Sequence, residues 1–487
     1  MSKFTMNQLD LNSDFHNALT AAAEILKSWI NAGEIIRVSS HIDADGVAAA
    51  GILSSALARM KANFHLSIFP QLESPYIEEL AKEKRKCYIF SDFGSGALEI
   101  LAKLFPEETI IILDHHEPLY LDEKPSNILE VNSHLFGIDG SNEISGAGVC
   151  FLLAYILDPL KNLDLLPLAL VGAVGDTQDK AKQHSFKGLN AKIAELGVEH
   201  SLIKIEKDLY FQYREMKPIP QALMETTEPF LPELTGNKEA CERFLANIGI
   251  PLYAGENWRT ISDLSIDEKR ILTSQLTQLI LSHNGTSKQA NSLISTNYLL
   301  TNETSLKDIR EFSQLLNACG RTRNPGIGVA VCMGDRDIQY KHAQNLLIDY
   351  NSKINSFLDS LKHPGQMQET DYVQYFYGDE ELDETMIGTI TTIATKTKIA
   401  NKVLIGFAKS EDDTYKISAR TQDSFVKKGL HLGKAMREII SQLGLDPSKF
   451  LAGGHDAAAG TRIPRSYDKL FIETLNKIVE EQLTKKE

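Results

Sequence analysis

Between about Asn17 and Asp179, short apolar runs alternate with stretches of helical periodicity, and that alternation narrows the fold more than any other feature of the chain. The runs "EIIRVSS", "FHLSIFP", "CYIFSD" and "TIIILD" are rich in β-branched and aromatic residues, as buried strands are. Between the first two lies "DADGVAAAGILSSALARM", in which Val47, Ala50, Leu53, Leu57 and Met60 share one helical face. Strands that are apolar throughout, separated by helices, imply a parallel sheet covered on both sides. An α/β domain is therefore expected over residues 1–185.

After about Lys180 the chain turns charged and helix-favouring, in "LIKIEKDLYFQYREM" and "DEKRILTSQLTQLILS", with prolines breaking the pattern in "KPIPQALMETTEPFLPELTG". Residues 186–300 read as a mostly helical insertion. Residues 301–362 return to the first domain through an α/β-like piece, "EFSQLLNACGRTRNPGIGVAVCMGD", and a polar connecting helix. "HPGQ" follows as a linker. Residues 366–487 again alternate strands ("VQYFYG", "KVLIGFA", "TYKISAR") with helices, forming a smaller α/β domain that ends in "LAGGHDAAAGTRIP". A chain of 487 residues is too long for one ordinary core, in keeping with this division.

With 51 basic and 65 acidic residues the net charge is −14. That argues against broad, non-specific binding of duplex DNA and leaves room for a local basic channel. Acidic totals also arise where carboxylates hold metal ions. The five cysteines, Cys87, Cys150, Cys241, Cys319 and Cys332, are odd in number and scattered, so they read as small buried residues of a reducing compartment. No apolar run approaches a membrane span, and "MSKFTMNQLDLNSDF" lacks a leader's apolar stretch; the expectation is a cytoplasmic protein with no membrane partner.

The strand ends carry the chemistry. After "IIRVSS" come His41, Asp43 and Asp45 in "HIDADG"; in an extended segment these alternate positions face one spot. After "CYIFS" comes Asp92, and after "TIIIL" come Asp114, His115 and His116. A fourth apolar element, "LPLALVGAVGD", delivers Asp176. "DHH" alone is a weak signal, and "HIDADG" alone could be a turn with a helix cap at Asp45. Together they fall where open parallel sheets bind ligands, beyond the carboxyl ends of the strands. Several carboxylates in one crevice repel each other unless a cation joins them. Mixed histidine and aspartate donors without cysteine suit Mn2+, or Mg2+ with waters completing the shell, better than structural zinc.

"HIDADG", "SDFGSG", "LDHH" and "GAVGD" resemble the four ordered motifs of the DHH phosphoesterase superfamily, and "KISAR" with "GGHDAAAG" resembles its DHH-associated C-terminal domain. "ISGAGVCF" and "LLNACGRTRNPGIG" are similar to the RecJ-like branch, above all to the archaeal group that includes the GINS-associated nuclease. The resemblance implies two divalent cations. His41 and Asp43 would hold one, Asp45, His115 and Asp176 the other, and Asp92 both. It further implies that His116 faces the substrate phosphate and that Asp114 orients the histidines. His134, in "VNSH", matches a family position whose usual proline neighbour is Ser133 here, which leaves its role between site and plain loop.

In "KISAR", Lys416, Ser418 and Arg420 alternate on one strand face, where arginine can hold a phosphate bidentately. The stretch "AGGHDAAAG" reads as a glycine turn entering a small-residue helix, with Gly453, Gly454 and His455 meeting an anion; Ala452 stands where the family has a third glycine. Arg321 and Arg323 could line a channel or form structural ion pairs. The expected function is a two-metal, single-strand-specific exonuclease of DNA or RNA in replication or repair. The alternatives are a replication scaffold binding GINS, and a phosphodiesterase of short oligonucleotides or cyclic dinucleotides. The helical insertion weighs against the latter, since those relatives are minimal two-domain chains; it weighs equally, with the GGH-type terminal domain, against a pyrophosphatase.

Overall fold

The computed structural model describes residues 9 and 11–484, apart from 122, 124, 379–381, 398, 411–412, 447–448 and 451. The first eight residues, read above as lacking a leader, and Leu451 of the glycine-rich stretch lie outside that range. The chain divides into two units, residues 1–347 and 348–487, with the helix Ile338–Ser360 running across the division.

The first unit is built on five strands, β1 (Ile35–His41), β2 (Asn63–Phe69), β3 (Cys87–Ser91), β4 (Thr109–Asp114) and β5 (Ile128–Asn132), in the order β2-β1-β3-β4-β5. Every pairing among them is parallel. β4 shows why: Ile110, Ile111, Ile112 and Leu113 are all fully buried, so both faces of the strand are covered. Burying each is worth about 1.5–3 kcal/mol. The fifth strand, "ILEVN", escaped the sequence reading because Glu130 interrupts its apolar run.

The fourth apolar element, "LPLALVGAVG", is a buried helix, Leu166–Gly175, whose Pro167 sits in the first turn. Two local readings are corrected by the fold. The extended run does not continue through "HIDADG": β1 stops at His41, Asp43 accepts the Gly46 amide at 3.0 Å as the N-cap, and Asp45 lies in the first turn of the helix Ala44–Arg59. The α/β-like piece at 311–335 is two helices, Ile309–Arg321 and Pro325–Cys332, the second started by a proline that needs no amide partner there. In the two helical runs, small and β-branched residues carry no period that separates helix from strand.

The segment inserted in this unit is framed by an antiparallel pair, β6 (Ile203–Leu209) and β9 (Ile294–Leu300), and contains a short hairpin of β7 (Tyr253–Ala254) and β8 (Asn257–Trp258). Its helices enclose a core of their own around Ile219, Leu223, Leu245, Leu272 and Leu276.

The second unit has a six-stranded sheet of β10 (Gln368–Glu369), β11 (Val373–Tyr377), β12 (Val403–Lys409), β13 (Thr414–Arg420), β14 (Gly453–Gly454) and β15 (Ala458–Pro464), ordered β10-β11-β12-β13-β15-β14. The reading of "GGHDAAAG" as a helix entry is overturned here. The stretch is a tight hairpin between β14 and β15, with Gly454 at φ 128° and the His455 amide bonded to the Ala458 carbonyl at 2.8 Å. Pairing with β13 decides it, because Ala458, Gly460 and Arg462 lie opposite Arg420, Ser418 and Lys416.

Candidate metal centre

The parallel sheet brings β1, β3 and β4 side by side, so their carboxyl ends deliver His41, Asp92 and Asp114–His116 to one edge. Asp92 follows β3 in a left-handed conformation, φ 62°, with its amide bonded to the Leu113 carbonyl at 2.9 Å. Aspartate tolerates that region better than most residues. Two helices add the rest. Asp43 and Asp45 open the helix after β1, and Asp176 sits at the C-terminal end of Leu166–Gly175.

His41 Nδ1 lies 2.9 Å from Asp43 Oδ2 and 3.5 Å from Asp92 Oδ2. His115 Nε2 lies 3.2 Å from Asp92 Oδ1, 3.1 Å from Asp176 Oδ2 and 3.6 Å from Asp45 Oδ2. The structure thus gathers His41, Asp43 and Asp92 into one group and Asp45, Asp92, His115 and Asp176 into a second, with Asp92 common to both. His116 also has a ring nitrogen near Asp92 and His115.

Both carboxylate oxygens of Asp92, which is 1% exposed, and Nε2 of His115, 4% exposed, make no hydrogen bond. Buried polar atoms are rarely left so. Burial, with the Asp92 and Asp176 carboxylates, pushes the Asp45 carboxyl well above its usual pKa. Burial opposes charge on His115, yet the surrounding aspartates raise its pKa well above normal. Both shifts register a shortage of positive charge around Asp45 and His115. Oxygen and imidazole donors without sulfur fit a hard divalent cation.

Close packing around the carboxylates depends on glycine. A Cβ on Gly146 would lie 2.6 Å from Asp92 Oδ1, and one on Gly172 would lie 2.1 Å from Asp45 Oδ1. The Gly146 and Ala147 amides, at the start of the helix Gly146–Leu157, donate to Asp45 at 2.6 and 3.0 Å, where the helix dipole favours negative charge.

Asp114 organises the double-histidine turn. It accepts from the His115 amide at 2.7 Å, the His116 amide at 3.1 Å, His116 Nδ1 at 2.9 Å and the Ser95 amide at 3.0 Å. Burial alone would raise its pKa, but the two histidines and the amides hold it well below the usual carboxylate range. His116 remains 54% exposed, its Nε2 turned away from Asp114. Asn132 was not anticipated from sequence: at the end of β5 its Nδ2 donates to the His116 carbonyl and to Ser95 Oγ, both at 2.8 Å. Nor was Gly140, whose carbonyl accepts from His115 Nδ1 at 2.7 Å. A strand-end asparagine was the visible hint; a lone glycine carries none. His134 is half-buried beside Gly140 and joins neither acid–histidine group.

Arg321 ends its helix half-buried, and its charge, after that of His41, helps hold Asp43 well below the ordinary carboxylate pKa against burial. Arg323 is exposed, at φ 61°. In the second unit, Arg420 is held by Thr392 Oγ1 at 2.9 Å and Ser418 Oγ at 3.1 Å, with Lys416 half-buried on the same strand. Gly454 and His455 are exposed at the hairpin turn and Gly453 is half-buried. The carbonyls of His455 and Asp456 accept from Gly433 and Leu432, each at 2.9 Å, so this turn caps a neighbouring helix instead of beginning one.

The DHH family N-terminal domain matches residues 35–173, the DHH-CID domain residues 211–294 and the DHHA1 domain residues 370–485. An uncharacterized protein of Methanocaldococcus jannaschii is 32% identical over 452 residues, covering 92% of this chain and 94% of its own. CDC45 from Entamoeba histolytica superposes with a TM-score of 0.64 at 13% identity, over 95% of this chain and 99% of that one. RecJ from Thermus thermophilus, in complex with Mn2+, gives a TM-score of 0.58 at 17% identity over 95% of this chain; the match spans 55% of that RecJ's length. An exonuclease RecJ bound to manganese gives 0.56 at 17% identity, over 96% of this chain and 97% of that one. At such identities these three share the fold. No described helix is long and apolar enough to cross a membrane. With 32% identity along nearly the whole of the archaeal relative and three domain matches spread along it, the chain belongs to the DHH family and has a RecJ-like fold.

Proposed function

We propose that this protein is a metal-dependent phosphodiesterase that removes nucleotides from the ends of single-stranded DNA or RNA, in replication or repair. One observation carries the reading: Asp92, buried with neither oxygen hydrogen-bonded, stands between two acid–histidine groups. His41 and Asp43 would hold one divalent cation and Asp45, His115 and Asp176 the other, with Asp92 shared. Two such ions, Mn2+ or Mg2+, held there would supply Lewis acidity toward a phosphodiester and lower the pKa of an attacking water.

The chain's own groups do the rest. His116, fixed through Nδ1 by Asp114, keeps Nε2 for a phosphoryl oxygen and stabilises charge developing on it. Lys416, Ser418 and Arg420, with the turn at Gly453, Gly454 and His455, grip backbone phosphates of the substrate. Arg321 adds positive charge beside Asp43. No protein nucleophile is required, because phosphoryl transfer is mainly positioning and charge neutralisation. A net charge of −14 with local basic groups suits a narrow single-strand track better than a broad duplex footprint.

The test is hydrolysis of 5′- and 3′-labelled DNA and RNA oligomers of increasing length with Mn2+. Wild-type protein should shorten them from one end, and Asp92→Asn, which keeps the left-handed backbone, should abolish this while melting normally. Full activity in Asp92→Asn would overturn the two-metal assignment, and cleavage confined to the shortest oligomers would favour an oligonucleotide phosphodiesterase. The CDC45 likeness along the whole chain supports a second reading, a replication scaffold that binds GINS. Tight GINS binding without hydrolysis would favour it; the retained acid–histidine groups weigh for the enzyme.

A further inference from the structure

Behind His115 lies a buried relay that no step above uses. Gly140 presents one carbonyl oxygen to two donors, His115 Nδ1 at 2.7 Å and Gln178 Nε2 at 2.9 Å. A carbonyl only accepts, so Nδ1 carries the proton and Nε2 is left as the lone pair facing Asp45, Asp92 and Asp176. Gln178 Nε2 also donates to the Ile144 carbonyl at 3.2 Å, which leaves Oε1 to accept from Asn190 Nδ2 at 2.6 Å. Gln178 is 2% exposed and Asn190 0%, so the amide orientation is enforced without water. Gln178 also lies two residues beyond Asp176, across a turn in which Thr177 takes φ 54°, a conformation a β-branched residue rarely adopts unaided. One side chain therefore anchors both the carbonyl that fixes His115 and the turn that presents Asp176.

We infer that Gln178, locked by Asn190, is a positioning residue that sets the tautomer of His115 and the reach of Asp176, and thereby the affinity of that half of the centre for its divalent cation. The inference rests on the metal-dependent reading above. It is tested on the full-length protein, stripped of metal and titrated with Mn2+ by calorimetry, beside two variants. Gln178→Met keeps length and burial but donates nothing; Asn190→Asp removes the donor that orients the Gln178 amide. Each variant is expected to bind Mn2+ about 10–100-fold more weakly at one site, as loss of an outer-shell partner does. The other site should stay near wild type and the melting temperature should barely move. Oligonucleotide hydrolysis should lose kcat with KM unchanged, and regain it at raised Mn2+. Unaltered Mn2+ affinity in Gln178→Met overturns the inference. So does failure of both variants to fold, which makes the pair ordinary core. Wild-type protein that binds no Mn2+ overturns the metal-dependent function itself, an outcome read without any variant.

Discussion

Asp114 shows how much one residue can organise. Its carboxylate gathers three backbone amides and the His116 ring, so the turn after β4 keeps its shape while His116 stays in solvent. Asp114→Asn cannot accept from all of these, and the freed imidazole loses its orientation. Hydrolysis by Asp114→Asn should fall about 10–100-fold in kcat with little change in KM, checked by steady-state kinetics on a labelled oligomer. Gly172 makes the opposite kind of demand. Its missing Cβ would sit 2.1 Å from Asp45 Oδ1 and 2.6 Å from Ala147 Cβ. Gly172→Ala should therefore destabilise the protein by about 1–3 kcal/mol through overpacking, read by urea unfolding, and weaken Mn2+ binding measured by titration. Strand-end acids and histidines stand out in a sequence because they follow long apolar runs. Gly140 and Gln178 do not, since each matters only through a partner many positions away.

At the level of elements, local patterns were legible where period and length agreed. The four apolar runs are strands, and the Ala-rich stretch after "HIDADG" is a helix, though every residue from Ala44 to Leu57 is buried instead of one face, and Met60 is its C-cap. Where a run was short and small-residued, pattern failed: Leu166–Gly175 and Pro325–Cys332 are helices, and the glycine-rich stretch near the C-terminus is a hairpin. Inside the insertion, the helix Ile266–Ser282 begins with a complete capping box at Ser265 and Glu268, a signal available from sequence. Arg259 grips the same glutamate through two hydrogen bonds of 2.7 Å. Chiefly because of that arginine, the Glu268 pKa falls to about 2. A carboxyl with a lowered folded pKa stabilises the protein above the unfolded value, and the contribution fades as pH falls through the folded one. Glu268→Gln should thus lower the unfolding midpoint of the protein at pH 6–7, and the difference should shrink steadily below about pH 4.3. A constant difference down to pH 2 would contradict this.

Across the whole molecule the two units divide the proposed labour, one holding the metal groups and one the phosphate-gripping strand. Arg420→Gln should raise KM for long single strands about tenfold, the scale of one charged hydrogen bond. It should leave Mn2+ binding by the first unit unchanged, which separates grip from chemistry in one pair of measurements. What the sequence by itself determined was the class of the first unit and the kind of chemistry at its strand ends, because side-chain period and donor type are local properties. What only the tertiary structure decided was convergence. Asp92 gains meaning from β1 and β4 lying on either side of β3, from two glycine-lined helices that approach its neighbours, and from hydrogen-bond partners between 25 and 102 residues apart in the chain. Such contacts form through packing of distant segments, and no local pattern encodes them.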